Sequence, residues 1–149
     1  MTQSARNPAP DPLVQYVTYR LSGETYGIDV MQVQEVLRPS EIAPVPGAAP
    51  YVLGIINLRG NVVTVIDTRQ RFGLAPGEIT DSSRIIITEI SAQVVGILVD
   101  SVTEVVDVRA TEIETAPSVG STEVARYIQG VCNRDGELLI LVDLEKLLG

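Results

Sequence analysis

From Val14 onward the apolar residues come in short runs rich in Val, Ile, Leu and Tyr, each broken soon by Gly, Ser, Asn, Asp or Pro. Runs of that length and make-up predict strands rather than helices. Residues 14–21 and 84–90 read as first strands. Residues 24–30 and 93–99 pair with them as hairpins across Ser22-Gly23 and Ser91-Ala92. Turns at 31–33 and 100–102 lead to third strands at 34–38 and 103–108. Fourth strands at 52–57 and 128–133 turn through Arg59-Gly60 and Asp135-Gly136 into fifth strands at 61–66 and 137–142. Glycine at the second turn position points to a backbone with φ > 0. Asp67 and Asp143 follow the fifth strands and read as N-caps of short helices at 68–73 and 144–148. A further helix is expected near 121–127.

This plan is written twice. Gly27-Ile-Asp-Val-Met-Gln-Val-Gln-Glu-Val36 and Gly96-Ile-Leu-Val-Asp-Ser-Val-Thr-Glu-Val105 share six of ten residues at an offset of 69. Later the offset becomes 76 and carries Tyr51 onto Tyr127, Gly54 onto Gly130, Asn57 onto Asn133, Gly60 onto Gly136 and Asp67 onto Asp143. The seven extra residues fall between Val106 and Arg126, in a stretch rich in Thr, Ser, Pro and Gly, as expected of a loop. The halves, about 15–69 and 84–145, are small enough to be marginal alone. They are expected to share a core in one domain, 14–149. Five short hairpin-linked strands per half predict two small barrels. Residues 1–13, with Pro8, Pro10 and Pro12, read as a disordered tail.

Composition narrows the function. Eleven Lys+Arg against nineteen Asp+Glu leave a net charge of −8, which repels a phosphate backbone. Aromatic residues make up only 4 %, too few for base stacking. The chain has no His, which removes the usual general base, the serine-type triad and most zinc sites. One Cys rules out an internal disulfide and fits a reducing, cytoplasmic setting. Met1 is followed by no signal-peptide core, and no apolar run is long enough to span a membrane. Cys132 aligns with Ile56 and so reads as a core residue, not a nucleophile. No nucleotide fingerprint or metal-ligand spacing is present, so no cofactor, metal or catalytic residue is expected. The duplication also separates what the fold needs from what it does not. Gly54/Gly130 and Gly60/Gly136 recur, whereas Arg59 is replaced by Asp135. The turn does not require Arg59, which leaves it either a structural partner of Glu35 or a binding residue.

The run Tyr26-Gly-Ile-Asp-Val-Met-Gln-Val-Gln-Glu-Val36, then Pro44-Val-Pro46, Gly54-Ile-Ile-Asn-Leu-Arg-Gly60, Val65-Ile-Asp67 and Arg71-Phe-Gly73 resembles the CheW family of chemotaxis coupling proteins. Val95–Val105 and Leu141–Leu148 extend the likeness across residues 14–148. Thr64 and Thr68 depart from it, standing where the family often has Pro and Leu. The resemblance implies an all-β fold of two five-stranded SH3-like barrels around a shared hydrophobic core with short helices. Exchange of strands between the barrels is left open. It implies a non-enzymatic adaptor joining the cytoplasmic tips of methyl-accepting chemoreceptors to the regulatory domain of the histidine kinase CheA, in flagellar, pilus-type or other chemosensory arrays. Recruitment to the membrane-associated array, weak self-association there, and no contact with nucleic acid or insertion in membrane follow from the same likeness. By motif position, Ile42, Val45, Asn57 and Arg59 are expected on the kinase face, and Ser118 and Val119 in a ring contact. Val33, Glu35, Val36, Val99, Val102 and Val105 are expected to wall a receptor groove. A reading from another class is a small-molecule-binding β-barrel, to be distinguished by thermal shifts with nucleotides and metals.

Overall fold

A computed structural model describes residues 11–39, 41–75, 77–115 and 125–148. Ten strands form two five-stranded sheets. They are β1 (Leu13–Leu21), β2 (Glu24–Asp29), β3 (Val33–Leu37), β4 (Val52–Leu58), β5 (Asn61–Asp67), β6 (Arg84–Ile90), β7 (Gln93–Val99), β8 (Ser101–Arg109), β9 (Ile128–Arg134) and β10 (Glu137–Val142). Helices α1 (Thr68–Arg71) and α2 (Leu144–Leu148) follow β5 and β10. Sheet one has the order β8-β1-β2-β10-β9, and sheet two β3-β6-β7-β5-β4. The strands match the sequence expectation to within about two residues. The helix expected at 121–127 falls mostly outside the described residues.

Neither sheet coincides with one half of the sequence. Each takes a hairpin from one half and three strands from the other. Each sheet joins the halves twice, once by an antiparallel pair, β1 with β8 and β3 with β6, and once by a parallel pair, β2 with β10 and β5 with β7, the only parallel pairings among the described residues. Their registers repeat: Gly27 lies opposite Leu141, and its duplicate Gly96 opposite Val65, the duplicate of Leu141. The exchange starts after β2, where a single 3-10 turn at Val30–Gln32, capped by the Asp29 carboxylate on the Met31 amide (2.9 Å), sends the chain to the other sheet.

The core explains the apolar runs. Ile86 faces a central cluster with Tyr19, Tyr26, Ile28, Ile66 and Ile97, while Ile85 and Ile87 face a second cluster with Ile56, Val63 and Val65. In sheet one Ile140 faces the centre, and Leu139 and Leu141 join Tyr16, Val108 and Cys132. Strands buried on both faces lose the polar alternation of a one-sided sheet. Full burial of each such side chain contributes about 1.5–3 kcal/mol. Cys132 and Ile56 hold equivalent places, as expected, and burial holds the Cys132 thiol above its ordinary pKa. The helices bring Phe72, Leu144 and Leu147 to the centre. Asp67 caps α1 by accepting from the Arg69 amide (3.0 Å), and Asp143 accepts from the Lys146 amide (3.2 Å). Buried Thr68 donates its hydroxyl to the Leu98 carbonyl (2.5 Å), so the departure from Leu is satisfied locally.

Each sheet has its two edge strands tied at one point. The chain leaving β3 crosses to β4 and exchanges two backbone hydrogen bonds between Ala43 and Ile55 (both 2.9 Å). The chain leaving β8 does the same to β9 at Glu114 and Val131 (both 2.8 Å). Gly54 and Gly130 sit beneath these crossings. A Cβ on Gly54 would lie 2.2 Å from the Ala43 carbonyl oxygen, and one on Gly130 would lie 2.7 Å from Ile113. This close approach is why the two glycines recur.

Two predictions follow from the backbone. Gly54→Ala must displace the Ala43 crossing, and chemical denaturation should show a loss of about 3 kcal/mol. At the β6–β7 turn Ala92 has φ 67°, where its duplicate is Gly23 at φ 84°. Ala92→Gly should therefore stabilise the protein by about 0.5–1 kcal/mol, although glycine substitutions elsewhere cost stability.

Candidate functional site

The β4–β5 turn is built from Asn57-Leu58-Arg59-Gly60. Arg59 and Gly60 both have positive φ, 50° and 89°, the backbone of a tight hairpin turn that matches strand twist. Asn57 closes the turn by accepting from the Gly60 amide through Oδ1 (2.9 Å). Asn57 thus has a structural part in the turn that it was expected to expose to the kinase. The turn aims Arg59 across to β3, where its guanidinium meets Glu35 in a two-pronged pair. Nη1 donates to Oε1 (3.3 Å), and Nη2 donates to Oε2. β3 and β4 are opposite edges of the same sheet, so this pair clasps the two edges beside the Ala43 crossing. Arg59 remains 68 % exposed, with Glu35 more sheltered. The hydrogen bond from Arg59, reinforced by its charge, holds the Glu35 carboxyl below its usual pKa.

Exposed apolar residues flank the clasp. Val36, next to Glu35, is 40 % exposed. Val62, just past the turn, is 69 % exposed. Val45 is exposed on the chain that crosses from β3 toward β4, while Ile42 is half-buried against the inner cluster of sheet two. Val62 was not among the sequence candidates. The signal was available in β5, where Val62 is an apolar residue on the outward side of a strand whose Val63 and Val65 point inward.

The expected receptor wall is only partly a surface. Val99 is 1 % exposed in the central cluster and offers nothing to a partner, which corrects its placement. It ends β7, and its side chain packs into the cluster between the two sheets. Val33 and Val102 are half-buried and pack against the same cluster. Val36 and Val105 are exposed, on β3 and β8, edge strands of different sheets. Ser118 and Val119 lie outside the described residues.

Among the described residues no group of His, Cys, Asp or Glu could hold a metal ion, and no helix is long and apolar enough to cross a membrane. The second ion pair of the described residues is Arg69 with Asp100 (2.9 and 2.6 Å), tying α1 to the junction of β7 and β8. Burial raises the Asp100 carboxyl pKa, but the Arg69 hydrogen bond, the Ser22 amide and the Arg69 charge together bring it below its ordinary value.

The depressed Glu35 pKa fixes the sign of a pH effect. A lowered carboxyl contributes stability above its unfolded pKa, and loses it as pH falls through the folded value. Coupling between Glu35→Ala and Arg59→Ala, measured in a double-mutant unfolding cycle, should be steady from about pH 7 to 5 and should fall away below the ordinary Glu pKa of about 4.3, as Glu35 takes up its proton.

Comparison with known proteins agrees with this geometry along the whole chain. A CheW-like domain model matches residues 15–149. The chain is 36 % identical over 132 residues to the chemotaxis protein CheW of Bacillus subtilis, covering 89 % of this chain and 85 % of that protein. It is 33 % identical over 134 residues to the CheW of Klebsiella aerogenes, covering 90 % and 81 %. It superposes on the crystal structure of the scaffolding protein TtCheW from Thermoanaerobacter tengcongensis with a TM-score of 0.83 and 34 % identity, over 100 % of this chain and 94 % of that one. With two interlocked five-stranded sheets and the Asn57–Gly60 turn clasped to β3, the chain belongs to the CheW-like family.

Proposed function

We propose that this protein is a non-catalytic scaffold of a chemosensory assembly, coupling the cytoplasmic tips of chemoreceptors to the histidine kinase CheA. The observation that carries the reading is the exposed Arg59–Glu35 clasp. The second copy of the fold has Glu104 and Asp135 at these positions and needs no such pair, so the clasp is not a requirement of the backbone. An exposed, oriented guanidinium on the sheet that carries exposed Val36 and Val62, with Val45 exposed on the chain crossing it, is the kind of anchor that dominates protein interfaces: a fixed fork of donors with apolar surface on the same sheet. Ile42, partly buried against the inner cluster of sheet two, anchors the crossing chain that carries Val45. The kinase regulatory domain is assigned to this end of sheet two.

The receptor helix is assigned to the edge strands, with Val36 and Val105 as apolar anchors and Glu35 as a polar rim. Helix recognition of this kind uses a few apolar contacts at helical spacing. Glu35 would then link the two surfaces, because the residue that orients Arg59 also stands beside Val36.

Arg59→Ala separates structure from binding. The variant should keep its unfolding midpoint nearly unchanged, since the pair is solvent-screened. Its affinity for purified kinase should fall by roughly tenfold or more, as expected of an interface arginine. Isothermal titration against kinase and against a receptor-tip fragment checks both. Wild-type affinity for both partners overturns the assignment, and loss of the fold makes Arg59 a structural residue.

A further inference from the structure

The duplication maps Glu35 onto Glu104 and Arg59 onto Asp135. In sheet two these positions hold a carboxylate and the guanidinium that clasps it. In sheet one they hold two carboxylates, which cannot pair with each other at neutral pH. Glu104 and Asp135 instead line one open groove of about 600 Å³ on sheet one. Asp107 and Glu137 add two more acids to it. Among the described residues no ion pair reaches any of the four.

Glu104 is set in place by a β-bulge. The β1–β8 register shifts between Val17 and Tyr19, and there the Thr18 hydroxyl donates to the Glu104 carbonyl (2.8 Å) and accepts from its amide (3.2 Å). Bulges commonly re-aim a side chain at a working surface. The arginines of the groove are turned to carbonyls: Arg20 donates to Gly23 (2.9 Å), and Arg134 to Asp107 (2.8 Å). The apolar residues repeat those beside Arg59. Val105, 51 % exposed, is the duplicate of Val36, and Leu138, 40 % exposed, is the duplicate of Val62. The carboxylates do not form a metal set. Their equivalents in sheet two show what this backbone holds at that place: a planar guanidinium.

We propose that the sheet-one groove binds an arginine side chain presented by a partner protein, its guanidinium between Glu104 and Asp135 and its apolar neighbours on Val105 and Leu138. The partner would supply in trans the group that Arg59 supplies within sheet two. Arginine suits the site better than lysine, because its fork can reach two carboxylates at once. The groove shares Val105 with the receptor surface assigned above, but the inference does not depend on which protein carries the arginine.

The test is an NMR titration of ¹⁵N-labelled protein with N-acetyl-arginine amide, with N-acetyl-citrulline amide as the neutral isostere. Saturable shifts at the amides of Glu104, Val105, Asp135 and Leu138 are expected with arginine and not with citrulline. Asp135→Arg should form a clasp with Glu104 and abolish the response. The turn accepts that residue, since Arg59 has φ 50° and Asp135 φ 49°. Asp135→Asn, which suits a left-handed turn position and adds no bulk, should weaken binding by roughly fivefold or more. No saturable response to arginine, an equal response to citrulline, or undiminished binding by Asp135→Arg overturns the proposal. Binding that appears only after Arg6→Ala would assign the groove to the chain's own tail, and overturns the assignment to a partner. Because the probe is a single amino-acid amide, these outcomes leave the kinase and receptor assignments untouched.

Discussion

Four ladders hold the halves together, two parallel, β2 on β10 and β5 on β7, and two antiparallel, β1 on β8 and β3 on β6. Without them each half is a hairpin and three strands with unpaired edges and one uncovered face. With them each half completes the other's sheet, and the central cluster forms between the two sheets. A unit of about 55 residues buries only about 60 % of its unfolded surface, so a shared core is the economical solution. The join is reinforced where α1 meets the second half. Arg71 lies over the rings of Tyr51 (4.4 Å) and its duplicate Tyr127 (5.1 Å), and donates to the Leu147 carbonyl (2.8 Å). Phe72, the one phenylalanine, stacks on Tyr26 (5.2 Å) and tilts against Tyr127 (6.0 Å). Such contacts require both halves, so neither half can hold its fold without the other.

A duplicated fold carries its own control. What appears twice under the same geometry is demanded by the backbone: the glycines beneath the crossings, the turn glycines, the capping aspartates, and the Tyr51 and Tyr127 carbonyls that accept from the Asp67 and Asp143 amides. What appears once is not. Both ion pairs fall in this second group. Arg59–Glu35 corresponds to Asp135 and Glu104, and Arg69–Asp100 to Glu145 and Met31. Met31 stands almost fully in solvent where its duplicate Asp100 holds an arginine. The backbone therefore tolerates the loss of either pair, and a function other than folding is free to select them.

The strands and hairpins were legible because their signals are local. β-branched runs, Gly-bearing turns and capping Asp residues act within a few positions, and the duplication gave each element a second witness. The choice of neighbours was not legible. Nothing in Val33–Leu37 says that it pairs with β6 rather than with its own half, because an edge strand with apolar residues fits either sheet. The same gap misplaced Val99. Its sequence place, just before a turn, suited a groove wall as well as a core, and only the packing of that face of β7 into the central cluster decides between them. Glu35 and Arg59 were brought together correctly from the turn and the third strand, but their role in clasping opposite edges needed the sheet order. The acidic groove was hidden for a related reason. Glu104 and Asp135 are 31 positions apart, and they line one groove because the chain leaving β8 crosses to β9 and ties the two edges of the sheet at Glu114 and Val131.

Duplication produces two ends of like shape, and like ends would be a weakness in a connector. Two surfaces with the same backbone and the same chemistry compete for the same partner, and an assembly built on them has no direction. Here the apolar pairs are kept, Val36 with Val62 on sheet two and Val105 with Leu138 on sheet one. The charges are changed, from a satisfied Arg–Glu clasp to carboxylates that no ion pair reaches among the described residues. Apolar contact supplies adhesion that any complementary face can use, while the charges decide which face is rejected. Under the assignments proposed above, a partner bearing a carboxylate would share Arg59 at sheet two and be repelled at sheet one, and a partner bearing an arginine would meet the opposite result. A single reversal at the turn, Arg59 against Asp135, is thus enough to give a pseudo-symmetric molecule two distinguishable ends.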